Sequence, residues 1–273
     1  YGIVPLKFAQ NYYKRKIEEV RPLKGLEKEE KEDVKESFDL RWHRRIYSKI
    51  KKGELTKETY QLDDDKIKPP EKKKGYITLD RLSEEHYIDV RENLTKEDQE
   101  ELRRIGIQKM KGEDRKSKCA VLFATGGRGT RWKIPFLSKG LVKLLSMVDS
   151  KTGEQRDRSF IELKLANIKK VSEDLEIDIP TCFMLSAMTG KRTRYFMDTN
   201  NNFGLRGKVY YYLQRIARRL NPDNLSYFHA KTAIIENYNP TGHLDMYTHL
   251  IISGVLKELV KDGVEYIKAS TVS

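Results

Sequence analysis

A short apolar run that empties into a glycine cluster constrains this chain more than any other feature. Cys119-Ala120-Val121-Leu122-Phe123-Ala124 is followed by Thr125-Gly126-Gly127-Arg128-Gly129-Thr130-Arg131, and a basic segment continues through Lys139 and Lys143. An apolar run of this length bounded by glycines predicts a buried strand, of the kind found in parallel sheets. Glycine has no Cβ, so backbone N–H groups around it can approach an anion closely. Thr130, Arg131 and Lys139 add side-chain donors and positive charge. A strand leading into such a loop is a candidate phosphate or nucleotide site. The loop lacks the Gly-Lys-Ser/Thr ending of the P-loop, and Gly126, Gly127 and Gly129 do not have the spacing of the dinucleotide fingerprint.

Strand and helix patterns alternate on either side of this stretch. Thr95 with Asp98 predicts a helix start, Leu102, Ile105 and Met110 give that helix an apolar side, and Gly112 stops it. Ser159-Phe160-Ile161-Glu162 is a capping box, with Ile161, Leu165, Ile168 and Leu175 at helical spacing behind it. Pro180 precedes a second buried strand, Thr181-Cys182-Phe183-Met184-Leu185. A short helix is expected over 193–198, a polar turn at Asn200-Asn201-Asn202, and a strand in the β-prone Val209-Tyr210-Tyr211-Tyr212-Leu213. One helix is expected over 245–261, with Tyr247, Ile251, Val255 and Leu259 on its core face and Gly263 as its stop. A last strand begins at Glu265 and runs to Ala269. Strands alternating with helices predict a parallel α/β sheet.

The first ninety or so residues read differently: charge-rich, with short helices and exposed loops. Lys14-Arg15-Lys16, Lys28-Glu29-Glu30-Lys31-Glu32 and Lys72-Lys73-Lys74 cluster or alternate in sign, and Lys68-Pro69-Pro70-Glu71 is a turn or linker. Phe38, Leu40, Trp42, Tyr47 and Ile50 can anchor a helix, while His43 and His86 read as packing or surface histidines. The division expected is therefore a mainly helical region 1–92 and an α/β core 93–273.

Of the 273 residues 35% are charged, and the net charge is +13. That balance favours anionic partners such as nucleotides, sugar phosphates or nucleic acid, although Lys interleaved with Glu also suits solvated helix faces. Cys119 and Cys182 both lie in strand-like runs and read as buried thiols of a reducing compartment, the cytoplasm, rather than a disulfide framework. No apolar run is long enough to span a membrane and no signal peptide is visible. The chain begins at Tyr1 rather than Met, so residues upstream are expected.

Four pieces, in order, resemble the eukaryotic-type UTP-dependent sugar-1-phosphate pyrophosphorylases, the family of UDP-N-acetylglucosamine, UDP-glucose and UDP-sugar pyrophosphorylases. They are Gly126 to Arg131; Lys139, standing where the family has the lysine of a Pro-Lys pair; the strand end Tyr211-Tyr212-Leu213-Gln214; and Pro240-Thr241-Gly242-His243-Leu244-Asp245-Met246-Tyr247, similar to the family's Pro-Pro-Gly-His-Gly-Asp-x-Tyr. The resemblance covers Leu94 to Ser273. It implies a Rossmann-like nucleotidyltransferase core of three α/β/α layers behind a helical N-terminal region, with the C-terminal part of that core missing. It implies a uridylyltransferase that makes a UDP-sugar and pyrophosphate from UTP and a sugar 1-phosphate with Mg²⁺. Carried over residue by residue, Gly126, Gly127, Gly129 and Thr130 cradle the nucleotide, and Arg131 and Lys139 are the catalytic cations. Gln214 reads the uracil edge, Gly242 lets the backbone approach the base, and His243 lies beside it.

Other readings stand beside these. Lys139 and Lys143 also suit exposed lysines, Gln214 a solvated strand end, His243 a turn and His249 a helix interior. Tyr210 to Tyr212 suit a sheet as well as base stacking, and Arg192, Arg194, Arg215, Arg218 and Arg219 suit solvated patches. Lys133, Ser138 and Leu244 replace a glycine, a proline and a glycine of the family pattern. Aligning Gly263-Val264-Glu265-Tyr266 puts Ser273 where the family has its metal-binding aspartate, so no metal ligand is assigned. The alternative function is a nucleotide-binding, catalytically impaired homologue with a regulatory or scaffolding role. A basic RNA-binding module is a third reading, though nucleic acid and membrane are not the expected partners.

Overall fold

β1 (Cys119–Ala124) forms where the apolar run predicts it and becomes an inner strand of the main sheet. The structure is a computed structural model that describes residues 26–56, 94–127, 138–148, 153–229, 237–243 and 245–271. In chain order the helices are α1 (Leu26–Ser37), α2 (Leu40–Lys51), α3 (Lys96–Met110), α4 (Phe160–Leu175), α5 (Gly190–Thr199), α6 (Asp245–Ile252) and α7 (Val255–Lys261). The strands after β1 are β2 (Lys143–Val148), β3 (Gln155–Ser159), β4 (Thr181–Leu185), β5 (Val209–Leu213), β6 (Ile216–Arg218), β7 (Tyr238–Pro240) and β8 (Tyr266–Thr271). The chain divides into two units: Tyr1–Asp39 with Lys111–Ser273, and Leu40–Met110. Lys14-Arg15-Lys16, Lys68-Pro69-Pro70-Glu71, Lys72-Lys73-Lys74 and His86 lie outside the described residues.

In the larger unit a four-stranded sheet runs in the order β5-β4-β1-β8, with every neighbouring pair parallel. Every residue of β4 is buried, as an inner strand covered on both faces demands. Ala120, Leu122 and Ala124 of β1 join Cys182, Met184 and Tyr212 on one face, under Met246 and Leu250 of α6 and Val255 and Leu259 of α7. The opposite face carries the rings of Phe123, Phe183 and Tyr211 in a row, each 5.6 Å from the next. α4 covers that face, with Ile161 and Leu165 fully buried and Lys164 Nζ 5.9 Å above the Phe123 ring. Each such buried side chain contributes about 1.5–3 kcal/mol. The result is the three-layer α/β/α arrangement expected of the sequence. Both thiols are free, Cys182 is buried, and burial pushes its thiol up to about 12.

Local signals were accurate at several helix ends. The Ser159–Glu162 capping box is complete: Ser159 N donates to Glu162 Oε2 at 2.6 Å, and Glu162 N donates to Ser159 Oγ at 3.4 Å. Thr95 and Asp98 exchange the same pair of bonds at the start of α3.

Three expectations are corrected. The single helix over 245–261 is two helices, because Gly254 takes φ +79 and turns the chain between them. The break resets the helical phase, so α6 buries Met246, His249 and Leu250, while Tyr247 and Ile251 are 52% and 61% exposed. Leu102, expected on an apolar face of α3, is half exposed, and α3 has no buried residue. The helix expected over 193–198 is longer, Gly190–Thr199.

In the smaller unit, His43 stacks on Tyr47 one helical turn away on α2, with ring centroids 6.1 Å apart. No helix among the described residues is long and apolar enough to cross a membrane.

Candidate active site

Parallel strands all point the same way, so the loops leaving β1, β4 and β5 converge on one edge of the sheet. These loops deliver Gly126 and Gly127, then Ser186 to Met188, then Gln214. Together with Met184 and with Ile216, Tyr238, Pro240, Gly242 and His243 they line a cleft of about 230 Å³. A mostly apolar cleft with a few convergent polar groups is the usual form of a small-molecule site.

The glycine loop is pinned at both ends. Thr125 N and Oγ1 each donate to Met184 O at 2.9 Å. Buried Ser138 donates its hydroxyl to Thr125 O at 2.8 Å, and Lys139 N donates to Gly127 O at 3.1 Å. Lys139 is thereby held beside Gly127, in a 3-10 turn Lys139–Leu141. Ser138 stands where the resemblance expects proline, and its hydroxyl makes a bond that a proline side chain cannot.

Gly126 and Gly127 differ in what they face. A Cβ on Gly126 would lie 2.8 Å from Gln214 Nε2 and 3.2 Å from Ser186 Cβ. Gly126 therefore makes room for the Gln214 amide. Among the described residues a Cβ on Gly127 would meet nothing within 4 Å, and Gly127 lines the cleft. Gln214 is buried and fixed through its backbone, its N donating to Leu185 O at 2.8 Å.

A second turn closes the cleft from the other side. Gly242 adopts φ +105, a conformation that favours glycine. Thr241 N donates to Arg215 O at 3.1 Å, and the Thr241 hydroxyl donates to Asp245 Oδ2 at 2.6 Å. Met246 N donates to His243 O at 3.1 Å. The Gly242-His243 turn is thus tied to the residue that follows Gln214.

His249 lies one helical turn beyond Asp245, its Nε2 3.4 Å from Asp245 Oδ2. It is buried, and burial holds its pKa below the ordinary 6.5; Asp245 and the Leu213 backbone pull upward, Arg215 downward. The folded state therefore favours neutral His249 more than the unfolded state does. Its contribution to stability is full above pH 6.5 and is lost as the pH falls below that value through the folded pKa. A thermal-unfolding series on either side of pH 6.5 is expected to show Tm falling toward acid, with a shallower fall in His249→Leu.

Of the residues singled out from the sequence, the structure brings Gly126, Gly127, Lys139, Gln214, Gly242 and His243 to this edge of the sheet. Gly129, Thr130, Arg131, Lys133, Leu244 and Ser273 lie outside the described residues. Sequence reasoning missed Ser186, Ala187, Met188, Ile216 and Tyr238, since none carries distinctive chemistry; the strand-end rule applied to β4 would have found the first three. Several basic side chains are engaged within the molecule. Arg194 pairs with Asp33 at 3.6 Å, and Arg218 and Arg219 lie over the rings of Tyr227 and Phe228.

The described residues thus form a parallel α/β sheet with a glycine loop and a buried amide at its C-terminal edge. The family model described as UTP--glucose-1-phosphate uridylyltransferase matches residues 45–273, and the chain belongs to that family. "UTP--glucose-1-phosphate uridylyltransferase 2" of Dictyostelium discoideum is 27% identical over 157 residues, covering 57% of this chain and 29% of that protein. A "Probable UDP-N-acetylglucosamine pyrophosphorylase" of Schizosaccharomyces pombe is 27% identical over 164 residues, covering 56% of this chain and 32% of that one. The chain thus spans less than a third of the length of either relative. A crystal structure from Entamoeba histolytica, of a protein assigned as a UDP-N-acetylglucosamine pyrophosphorylase, superposes with a TM-score of 0.50 at 16% identity. It covers 63% of this chain and 42% of that one, and the likeness shows the shared fold. These matches give no support to the regulatory or scaffolding alternative.

Proposed function

We propose that this chain forms the nucleotide-binding part of a UTP:sugar-1-phosphate uridylyltransferase. The observation that carries the reading is the Gln214 amide, buried beside Gly126 at the mouth of three converging strand ends. An amide presents a donor and an acceptor together, which matches the edge of uracil. Gly242, with its positive φ and no side chain, leaves room for the base on the opposite side. Gly127 lines the cleft, and Lys139 is tied beside it, so the phosphates lie along this side. A sugar phosphate oxygen attacks the α-phosphorus, the bond from that phosphorus to the bridging oxygen breaks, and pyrophosphate leaves. Lys139 offsets charge on the phosphates while the backbone around Gly127 holds them in place. Arg131, Thr130 and Gly129 have the roles carried over by resemblance. A cytoplasmic setting suits the free thiols Cys119 and Cys182.

The family resemblance implies Mg²⁺, which would neutralise phosphate charge. Such an ion takes oxygen ligands and usually at least one carboxylate. Among the described residues no three His, Cys, Asp or Glu side chains converge, and no carboxylate lines the cleft. These residues do not make a Mg²⁺ site, and no step above runs through the metal.

Base choice tests the reading. UTP is expected to bind more tightly than ATP, and Gln214→Ala is expected to weaken UTP by about 1–3 kcal/mol while leaving ATP nearly unchanged. Calorimetry with both nucleotides measures this; equal affinities for UTP and ATP in the unmodified chain would contradict it.

A further inference from the structure

The cleft wall that faces Gln214 is backed by a segment far away in sequence. Val34 of α1 is buried in one cluster with Ala187 and Ile216, and Phe38, just beyond α1, packs against it with Met188 and Tyr238. The Phe38 ring meets the Tyr238 ring edge to face, with centroids 5.6 Å apart and planes at 69°. Ala187, Met188, Ile216 and Tyr238 all line the cleft, and Phe38 does not. The segment is anchored at both ends. Asp33 reaches α5, 3.6 Å from Arg194, close enough to the helix start that a Cβ on Gly190 would lie 3.4 Å from its Oδ2. Asp39 lies 4.0 Å from Arg215, the residue after Gln214.

Residues of the β4 loop and of both strands of the β6–β7 ribbon therefore pack in one cluster with Val34 and Phe38. β6 and β7 pair with each other, Ile216 opposite Pro240 and Arg218 opposite Tyr238, in a sheet of their own that shares no strand pairing with β4 or β5. Packing on Phe38 and Val34 brings the inner surfaces of the β4 loop and the ribbon into register. We propose that Phe38 is a positioning residue for nucleotide recognition: through Tyr238, Met188 and Ile216 it fixes the apolar wall against which the base lies. This rests on the uridine-binding reading given above. Phe38 acts through its neighbours and touches no substrate.

The experiment compares the unmodified chain with Phe38→Ala, Phe38→Leu and, as a control in the opposite layer, Leu165→Ala. Two readouts are taken on each: UTP and ATP affinity by calorimetry, and amide hydrogen exchange of the peptides covering 187–190 and 214–218 without nucleotide. Phe38→Ala is expected to raise the UTP Kd about tenfold, with exchange faster in both peptides. Phe38→Leu, which keeps apolar bulk but loses the ring edge, is expected to fall between. Leu165→Ala lowers Tm but leaves UTP Kd and these two peptides as they are. Unchanged Kd and exchange in Phe38→Ala, with a lowered Tm, would overturn the proposal and leave Phe38 an ordinary packing residue. If Phe38→Ala does not fold, Phe38→Leu decides by the same two readouts. If the unmodified chain binds no UTP, the uridine reading fails, and the exchange data alone still decide whether Phe38 holds the wall.

Discussion

Replacing Gly126 by valine is expected to weaken UTP binding about a hundredfold and to erase the preference for UTP over ATP. The reason is space. The new Cβ would sit 2.8 Å from Gln214 Nε2, inside contact distance, and 3.2 Å from Ser186 Cβ. Ser186 is held by a hydroxyl–hydroxyl contact with Thr189 at 2.8 Å, so the Gln214 side chain is the group that moves. Gly126 follows β1 rather than lying within it, so the sheet register is untouched and the loss of stability is small. Gly127→Val makes the informative contrast. Its Cβ would meet none of the described residues within 4 Å, so Gln214 stays in place. Both UTP and ATP are then expected to weaken, with their ratio preserved. Calorimetry on the two folded variants separates base reading from phosphate approach. A Gly126→Val chain that still prefers UTP would remove Gln214 from the base site.

Lys139→Ala is expected to lower turnover by a further large factor, roughly a hundredfold to a thousandfold, through loss of a fixed charge opposite the phosphates. The lysine is placed by backbone contacts that the substitution leaves intact: its own N–H on Gly127 O, and Ser138 on Thr125 O. The fold and the loop ends therefore survive the change, and the effect is confined to charge. Lys139→Arg is not expected to restore activity fully, since a planar guanidinium does not occupy the position of a compact ammonium. Pyrophosphate release from UTP and a sugar 1-phosphate reads the effect. A rate within a few-fold of the parent would show that another cation does this work.

How much of this was legible depends on what each residue announces. β1 and β4 were clear because a strand buried on both faces reads as a near-continuous apolar run, and Cys119–Ala124 and Cys182–Leu185 do. The capping box at Ser159 is a local code and was read correctly. Gln214 was singled out because it follows β5 and the strand end matched a family pattern, and it lines the cleft. The break at Gly254 was hidden, since Val255 and Leu259 continue the helical spacing of Tyr247 and Ile251 across it. Ribbon β2–β3 was missed because Gln155-Arg156-Asp157-Arg158-Ser159 has no apolar alternation. The role of α1 was the least visible. It reads as a solvated charged helix, Leu26-Glu27-Lys28-Glu29-Glu30-Lys31-Glu32-Asp33, yet Asp33, Val34 and Ser37 are buried. Burial of Asp33 is set by Arg194 and the start of α5, more than 150 residues downstream, and no local pattern encodes that. The cleft wall of Ala187, Met188, Ile216 and Tyr238 is likewise apolar surface assembled by topology.

The most direct measurement is a crystal structure of the chain grown with UTP. The account predicts uracil in the cleft between Gly126 and Gly242, its polar edge within hydrogen-bond distance of the Gln214 amide. The phosphates are expected to lie toward Gly127 and Lys139. Electron density for the nucleotide outside this cleft, or for the base turned away from Gln214, would contradict it.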